Sequence, residues 1–172
     1  MKKIVIIGPE STGKTWLCEQ LAAHFKSPWL PEYAREYLVT NGKEYAYEDL
    51  VKIAQGQLGQ EDKLTPASNS LLFIDTDLYV IKVWSEFVFN RCDSRILNGI
   101  VNREYDLYLL CKPDIPWVKD ELREYPNLYE REKLFHYYHD ALINQSVPWL
   151  LIEGDFDHRF EKARKAVAKL NA

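Results

Sequence analysis

The chain has 172 residues, 47% hydrophobic and 28% charged, which is enough for one well-filled core and too few for two ordinary domains. Its net charge of −4 argues against a nucleic-acid-binding face, because counterion release needs Lys and Arg concentrated against phosphates. The three cysteines, Cys18, Cys92 and Cys111, lack metal-ligand spacing and sit in or beside apolar stretches, so they read as buried, reduced thiols of a cytoplasmic protein.

Lys2-Lys3 precede a four-residue apolar run, Ile4 to Ile7, that stops at Gly8-Pro9-Glu10. The run is too short for a signal sequence and reads as a strand. No segment approaches the ~18 apolar residues of a membrane helix. Gly8-Pro9-Glu10-Ser11-Thr12-Gly13-Lys14-Thr15 follows at once and has the GxxxxGKT form of a phosphate-binding loop between strand and helix. Backbone N–H groups wound around an anion, at the positive end of a helix, would hold the phosphates of ATP. Lys14 would reach the β- and γ-phosphates and Thr15 would ligate Mg²⁺. The alternative is a plain glycine turn.

Leu17, Leu21, Ala22 and Phe25 recur at helical spacing, giving a helix from Gly13 to about Phe25 that Ser27-Pro28 ends. A short strand at Trp29-Leu30 leads through Pro31 and Glu32 into a helical stretch that stops at Asn41-Gly42. Tyr47 to Lys63 reads as a helix with Asp49 in its first turn. Leu71 to Ile74 is a buried strand with Asp75 and Asp77 at its carboxyl end, followed by helical stretches Asp77 to Phe89 and Ser94 to Val101. Leu107 to Cys111 and Trp149 to Ile152 are further strands. Between them lie a polar excursion, Lys112 to Tyr129, and a helix to about Asn144. Phe160, Ala163, Val167 and Leu170 mark a closing helix. Continuously apolar strands alternating with helices describe an α/β fold, a single domain over residues 1–172 with a parallel sheet covered on both faces. Ligands of such sheets bind beyond the carboxyl ends of the strands.

Asp75, after four apolar residues, has the Walker B pattern and is the expected second metal ligand. Asp77 is either the cap of the next helix or a contact to a substrate hydroxyl. Glu32 and Arg35 stand level with the loop, where a carboxylate could align an acceptor hydroxyl and a cation could hold the substrate; a surface ion pair within the helix, with Glu36 nearby, is the alternative. Lys119, Arg123 and Arg131 could be carried by a lid over residues 112–131 to the transferring phosphoryl group; a solvated charged hairpin is the alternative. Trp84, Trp117 and Tyr33 flank the expected pocket and could stack on a base. The four histidines show no metal spacing and read as structural.

The order GPESTGKTWLCEQLA, PEYAREY, LLFIDTDLYV, YDLYLLCKPDIPWVKDELR, Arg131 and EGDFDHRFEKA resembles the ribosylnicotinamide kinase domain of NadR-type proteins, from Ile4 to about Val167. The resemblance implies a P-loop kinase with strand order 2-3-1-4-5 that passes the γ-phosphate of ATP to the 5′-hydroxyl of a nicotinamide riboside-like nucleoside. It implies Glu32 and Asp75 at the substrate and metal site, Arg123 and Arg131 in the lid, and Gly154-Asp155-Phe156 beside the adenine. The helix-turn-helix and adenylyltransferase portions of the family's longer members have no counterpart in these residues, so transcriptional regulation and adenylyl transfer are expected to be absent. Pro31 and Gln60 stand where the family carries Trp and Tyr, aromatics suited to sandwich a cationic base, unless Trp29 or Trp84 substitutes.

The expected function is thus a cytoplasmic, Mg²⁺-dependent nucleoside kinase of NAD salvage, with no nucleic-acid or membrane partner and with homo-oligomerisation left open. A regulatory ATP-binding module without transfer and a kinase for another nucleoside are the alternatives.

Overall fold

The computed structural model describes residues 1–65 and 70–170. The elements in chain order are β1 (Lys2–Ile7), α1 (Lys14–Phe25), β2 (Trp29–Leu30), α2 (Tyr33–Asn41), α3 (Tyr47–Leu64), β3 (Leu71–Asp75), α4 (Leu78–Phe89), α5 (Ser94–Val101), β4 (Leu107–Cys111), α6 (Leu128–Ile143), β5 (Trp149–Ile152) and α7 (Phe156–Leu170). The strands form one parallel sheet in the order β2-β3-β1-β4-β5, the order the resemblance implied. Its register pairs Ile6 with Asp75 and Ile7 with Leu110, so β1 passes into the phosphate loop where the carboxyl ends of its two neighbours converge.

Alternation along β1 divides the core. Ile4 and Ile6 face α1 and α7 through Leu17, Leu21, Ala163 and Val167, whereas Val5 and Ile7 face α4 and α6 through Val83, Leu134, Tyr138 and Leu142. The continuous apolar strands are thus explained by helices on both faces. A third cluster joins α3, α4 and α5 around Leu50, Ile53, Ile81 and Ile96.

Local chemistry sets the element ends. Gly13 at φ 76° opens α1 and Lys26 at φ 52° closes it, its amide donating to the Ala22 and Ala23 carbonyls. Gly42 ends α2 as expected. Strand β1 starts at Lys2, ahead of the apolar run, because Lys2 and Lys3 pair with Leu71 and Leu72. Cys18 and Cys111 are buried thiols, whereas Cys92, at the α4–α5 corner, is only half-buried. His139 stacks on Phe135 and meets the edge of Trp149, a packing role. No described helix is long and apolar enough to cross a membrane.

Candidate functional site

The phosphate loop is shaped by two glycines. Gly8 has φ 143°, and a Cβ there would lie 2.5 Å from the Cys111 carbonyl oxygen, so the close approach of β1 to β4 admits no side chain. Gly13 packs under Phe156 and Ile115. Within the loop, the Pro9 carbonyl accepts from Thr12 Oγ1 and from Lys14 Nζ, both at 2.8 Å, which curls the chain and folds the lysine over its mouth.

The Thr15 hydroxyl donates to Asp75 Oδ2 at 2.5 Å, and Asp75 Oδ1 is buried with no hydrogen-bond partner among the described residues. Burial, then the charge of Glu32, push the Asp75 carboxyl up to about 7 against the opposing effects of Lys14 and Thr15. A desolvated carboxylate oxygen lacking a partner, beside a hydroxyl, is a hard-oxygen pair that fits Mg²⁺, whose other ligands are ordinarily phosphate oxygens and waters.

Beyond Asp75 the backbone is strained. Thr76, a β-branched residue, has φ 68°. Its amide donates to the Ile6 carbonyl and its own carbonyl accepts from Gln57 Nε2 at 3.0 Å. The same Gln57 side chain accepts from the Tyr33 amide at 2.8 Å. One buried amide group thus ties the end of β3 to the start of α2, which fixes Asp75 relative to Glu32.

The phosphate loop, Asp75 and Glu32 line one cavity of about 850 Å³. At one end lie the phosphate loop, Trp16 and Phe156, whose rings meet edge-on at 4.6 Å. At the other lie Glu32, Tyr45, Trp84 and Phe87. The segment from Ile115 to Tyr125, the expected lid, also lines the cavity, with Trp117 and Lys119 outside the lining.

A family model described as an AAA domain matches residues 3–159. The chain belongs to that AAA domain family. It is similar to the "Trifunctional NAD biosynthesis/regulator protein NadR" of Escherichia coli and of Salmonella typhimurium, in each case 28% identical over 175 residues, 99% of this chain and 43% of the relative. The chain therefore spans less than half the length of those curated relatives. Among solved structures, a NadR protein in complex with NR is 25% identical with a TM-score of 0.75, over 99% of this chain and 51% of that one. A deoxyadenosine kinase from M. mycoides, with products bound, is 12% identical with a TM-score of 0.69 over 97% of this chain and 99% of that one. The resemblance to NadR is thus borne out over the whole chain, and the fold is that of P-loop nucleoside kinases.

In this AAA domain several expected site residues sit elsewhere. Asp77 is buried outside the cavity: it caps α4 by accepting from the Tyr79 amide at 3.0 Å and from the Tyr108 hydroxyl at 2.7 Å, so it is no substrate contact. Arg35 lines the cavity, but its guanidinium grips Asp120 of the lid. Glu10 points from the loop to the lid, accepting from the Glu124 and Tyr125 amides at 2.9 and 2.7 Å and from Trp117 Nε1 at 3.3 Å. That bond turns Trp117 out of the cavity lining, although Pro116 and Val118 belong to it. Asp155 is exposed and accepts from the His158 amide, leaving Phe156 to face the cavity. Tyr33 lies flat on Gly56, where a Cβ would fall 1.9 Å from its ring, and does not line the cavity. Gln60 binds Glu36 at 2.8 Å and is likewise outside it.

Arg123 reaches Ser11 Oγ at 3.4 Å and also donates to the Val118 carbonyl, which puts its guanidinium at the mouth of the loop. Arg131 is buried in α6, absent from the cavity lining, with Nε and Nη1 unpartnered. Leu134 and Tyr138, one and two turns along the same face of α6, do line the cavity.

Three residues escape the sequence patterns. Gln57 is one. Tyr45 accepts from Trp84 Nε1 at 2.9 Å and donates to Glu124 at 3.1 Å. Arg159, buried in α7, donates to the carbonyls of Thr12, Lys112 and Gly154 and pairs with Asp114, buttressing the phosphate loop from behind. Its place in EGDFDHRFEKA is the only signal that could have found it.

Proposed function

We propose that this protein is an ATP-dependent nucleoside kinase whose acceptor is nicotinamide riboside, in keeping with its similarity to a NadR protein in complex with NR. The observation that carries this reading is the continuity of one cavity from the phosphate loop, past Thr15 and Asp75, to Glu32 and the rings of Trp84 and Phe87. A polyphosphate and a nucleoside hydroxyl could meet only at that junction.

In the reaction, Gly8 to Thr15 hold ATP through loop amides and the helix end, and Lys14 leaves the Pro9 carbonyl for the phosphates. Thr15 and Asp75 would hold Mg²⁺, which supplies charge neutralisation to the phosphate oxygens. Glu32 orients the acceptor hydroxyl and receives its proton as the oxygen attacks. Arg123 stands at the loop mouth, and Arg131 has two guanidinium nitrogens, Nε and Nη1, without an acceptor among the described residues, an unfavourable burial that an anionic oxygen would relieve. The lid excludes water, which guards against ATP hydrolysis. Phe156 and Trp16 offer apolar edges to the adenine. ATP chemistry and unpaired thiols suit a cytoplasmic protein.

A second reading, transfer to a different nucleoside, is favoured by the two departures from the family: Pro31 lines the cavity with no ring to stack, and Gln60 is turned toward Glu36. The test of both is ADP release with Mg²⁺-ATP and a panel of nucleosides, nicotinamide riboside included. A matching monophosphate product is expected. Turnover that no nucleoside raises above background hydrolysis would leave a regulatory nucleotide-binding module instead.

A further inference from the structure

The cavity as a whole has an uneven charge pattern. Its cations are engaged: Arg35 with Asp120, Lys43 with Glu121, Lys14 with the Pro9 carbonyl, and Arg123 with Val118 and Ser11. Glu32 and Glu124 have no cationic partner among the described residues, yet both line the cavity. Glu124 is also held in place twice. Its amide is anchored on Glu10 of the phosphate loop at 2.9 Å, and its carboxylate takes the Tyr45 hydroxyl at 3.1 Å. Tyr45 is fixed in turn by Trp84, whose ring it meets edge-on at 4.6 Å.

Resting on the nucleoside kinase reading, we infer that Glu124 is a specificity-determining residue that selects the acceptor base by its charge. Glu124, a carboxylate of the cavity lining held through Tyr45 beside Trp84, attracts a positively charged ring in two ways. Opposite charges attract, and the aromatic face of Trp84 is negative. A neutral base of the same shape gains neither. Desolvation already holds the Glu124 carboxyl above its ordinary range, consistent with a site that lacks its counter-charge. This arrangement does not use the family's sandwich positions. It sets Tyr45, Trp84 and Glu124 where Pro31 and Gln60 provide nothing.

The experiment compares nicotinamide riboside, a cation, with its neutral dihydro form. Dissociation constants come from quenching of Trp fluorescence, and kcat/KM from ADP release. The native protein is expected to prefer the cation by about tenfold or more in both. Glu124→Gln, nearly isosteric, is expected to erase most of that preference while the neutral compound binds within about threefold of the native value. Tyr45→Phe, which keeps the ring and frees the carboxylate, should fall between the two. Glu132→Gln, the same charge change on the exposed face of α6, should leave the preference intact. An unchanged preference in Glu124→Gln, or none in the native protein, overturns the inference. Binding with the preference but without ADP release would overturn the kinase reading alone, and binding of neither compound would overturn the inference.

Discussion

Arg35 holds Asp120 by both carboxylate oxygens, at 3.1 and 2.7 Å, and so fastens the lid to the first turn of α2, one turn from Glu32. The pair is fork-to-fork, and Arg35 holds the Asp120 carboxyl down at about 2. Its arginine side is half exposed, which limits its worth to ~1 kcal/mol or less. Asp120→Asn is expected to raise the acceptor KM about two- to fivefold and to leave the melting temperature nearly unchanged. High salt should weaken acceptor binding in both, more in the native protein, which also loses the Arg35–Asp120 pair to screening. Steady-state kinetics at low and high NaCl check both statements.

On the kinase reading Lys14 and Glu32 serve ligands, and neither belongs to the buried core. Lys14→Ala should lower turnover by about 10²- to 10⁴-fold, and Glu32→Gln by about 10²-fold or more, each with native circular dichroism. Glu32→Gln is further expected to keep nucleotide affinity within about threefold, since its place is at the acceptor end. Nucleotide titration of that variant separates the two roles.

Asp77 makes stability depend on pH. Burial raises its folded carboxyl to about 7 from an ordinary 3.8, even with Tyr108 and Tyr79 donating to it. The folded state therefore holds the proton more tightly than the unfolded chain, so this contribution is fully present below about 4 and is lost as pH rises through about 7. Asp77→Asn keeps an oxygen for the Tyr79 amide and sets an NH2 beside the Tyr108 hydroxyl, which can turn to accept from it. Its stability relative to the native protein should therefore increase between pH 4 and pH 7, in urea denaturation at a series of pH values.

Gln57→Leu leaves the Tyr33 amide and the Thr76 carbonyl without their partner. The expected loss is about 2–4 kcal/mol of stability, with a lower kcat for the folded fraction. A urea midpoint within error of the native one would remove Gln57 from the supports of the site.

Much of this was open to sequence reading because it depends on local patterns. Ile4 to Ile7 followed by GxxxxGKT can hardly be anything but strand, loop and helix, and four apolar residues before Asp75 place it at a strand's carboxyl end. Side-chain partners were not legible. Whether Asp77 caps or faces substrate turns on the φ of Thr76 and on Tyr108, 31 residues away. Glu10 reads as a loop residue, and only the fold brings the amides of Glu124 and Tyr125 to it. Arg35 lines the cavity, but its partner lies 85 residues on.

Helix α3 contributes nothing to the cavity wall, and yet through Gln57 it sets the gap between Glu32 and Asp75. It behaves as a shim. A substitution along its buried stripe, Leu50, Ile53 or Ala54 included, that tilts it by a fraction of an ångström would shift two carboxylates it never touches.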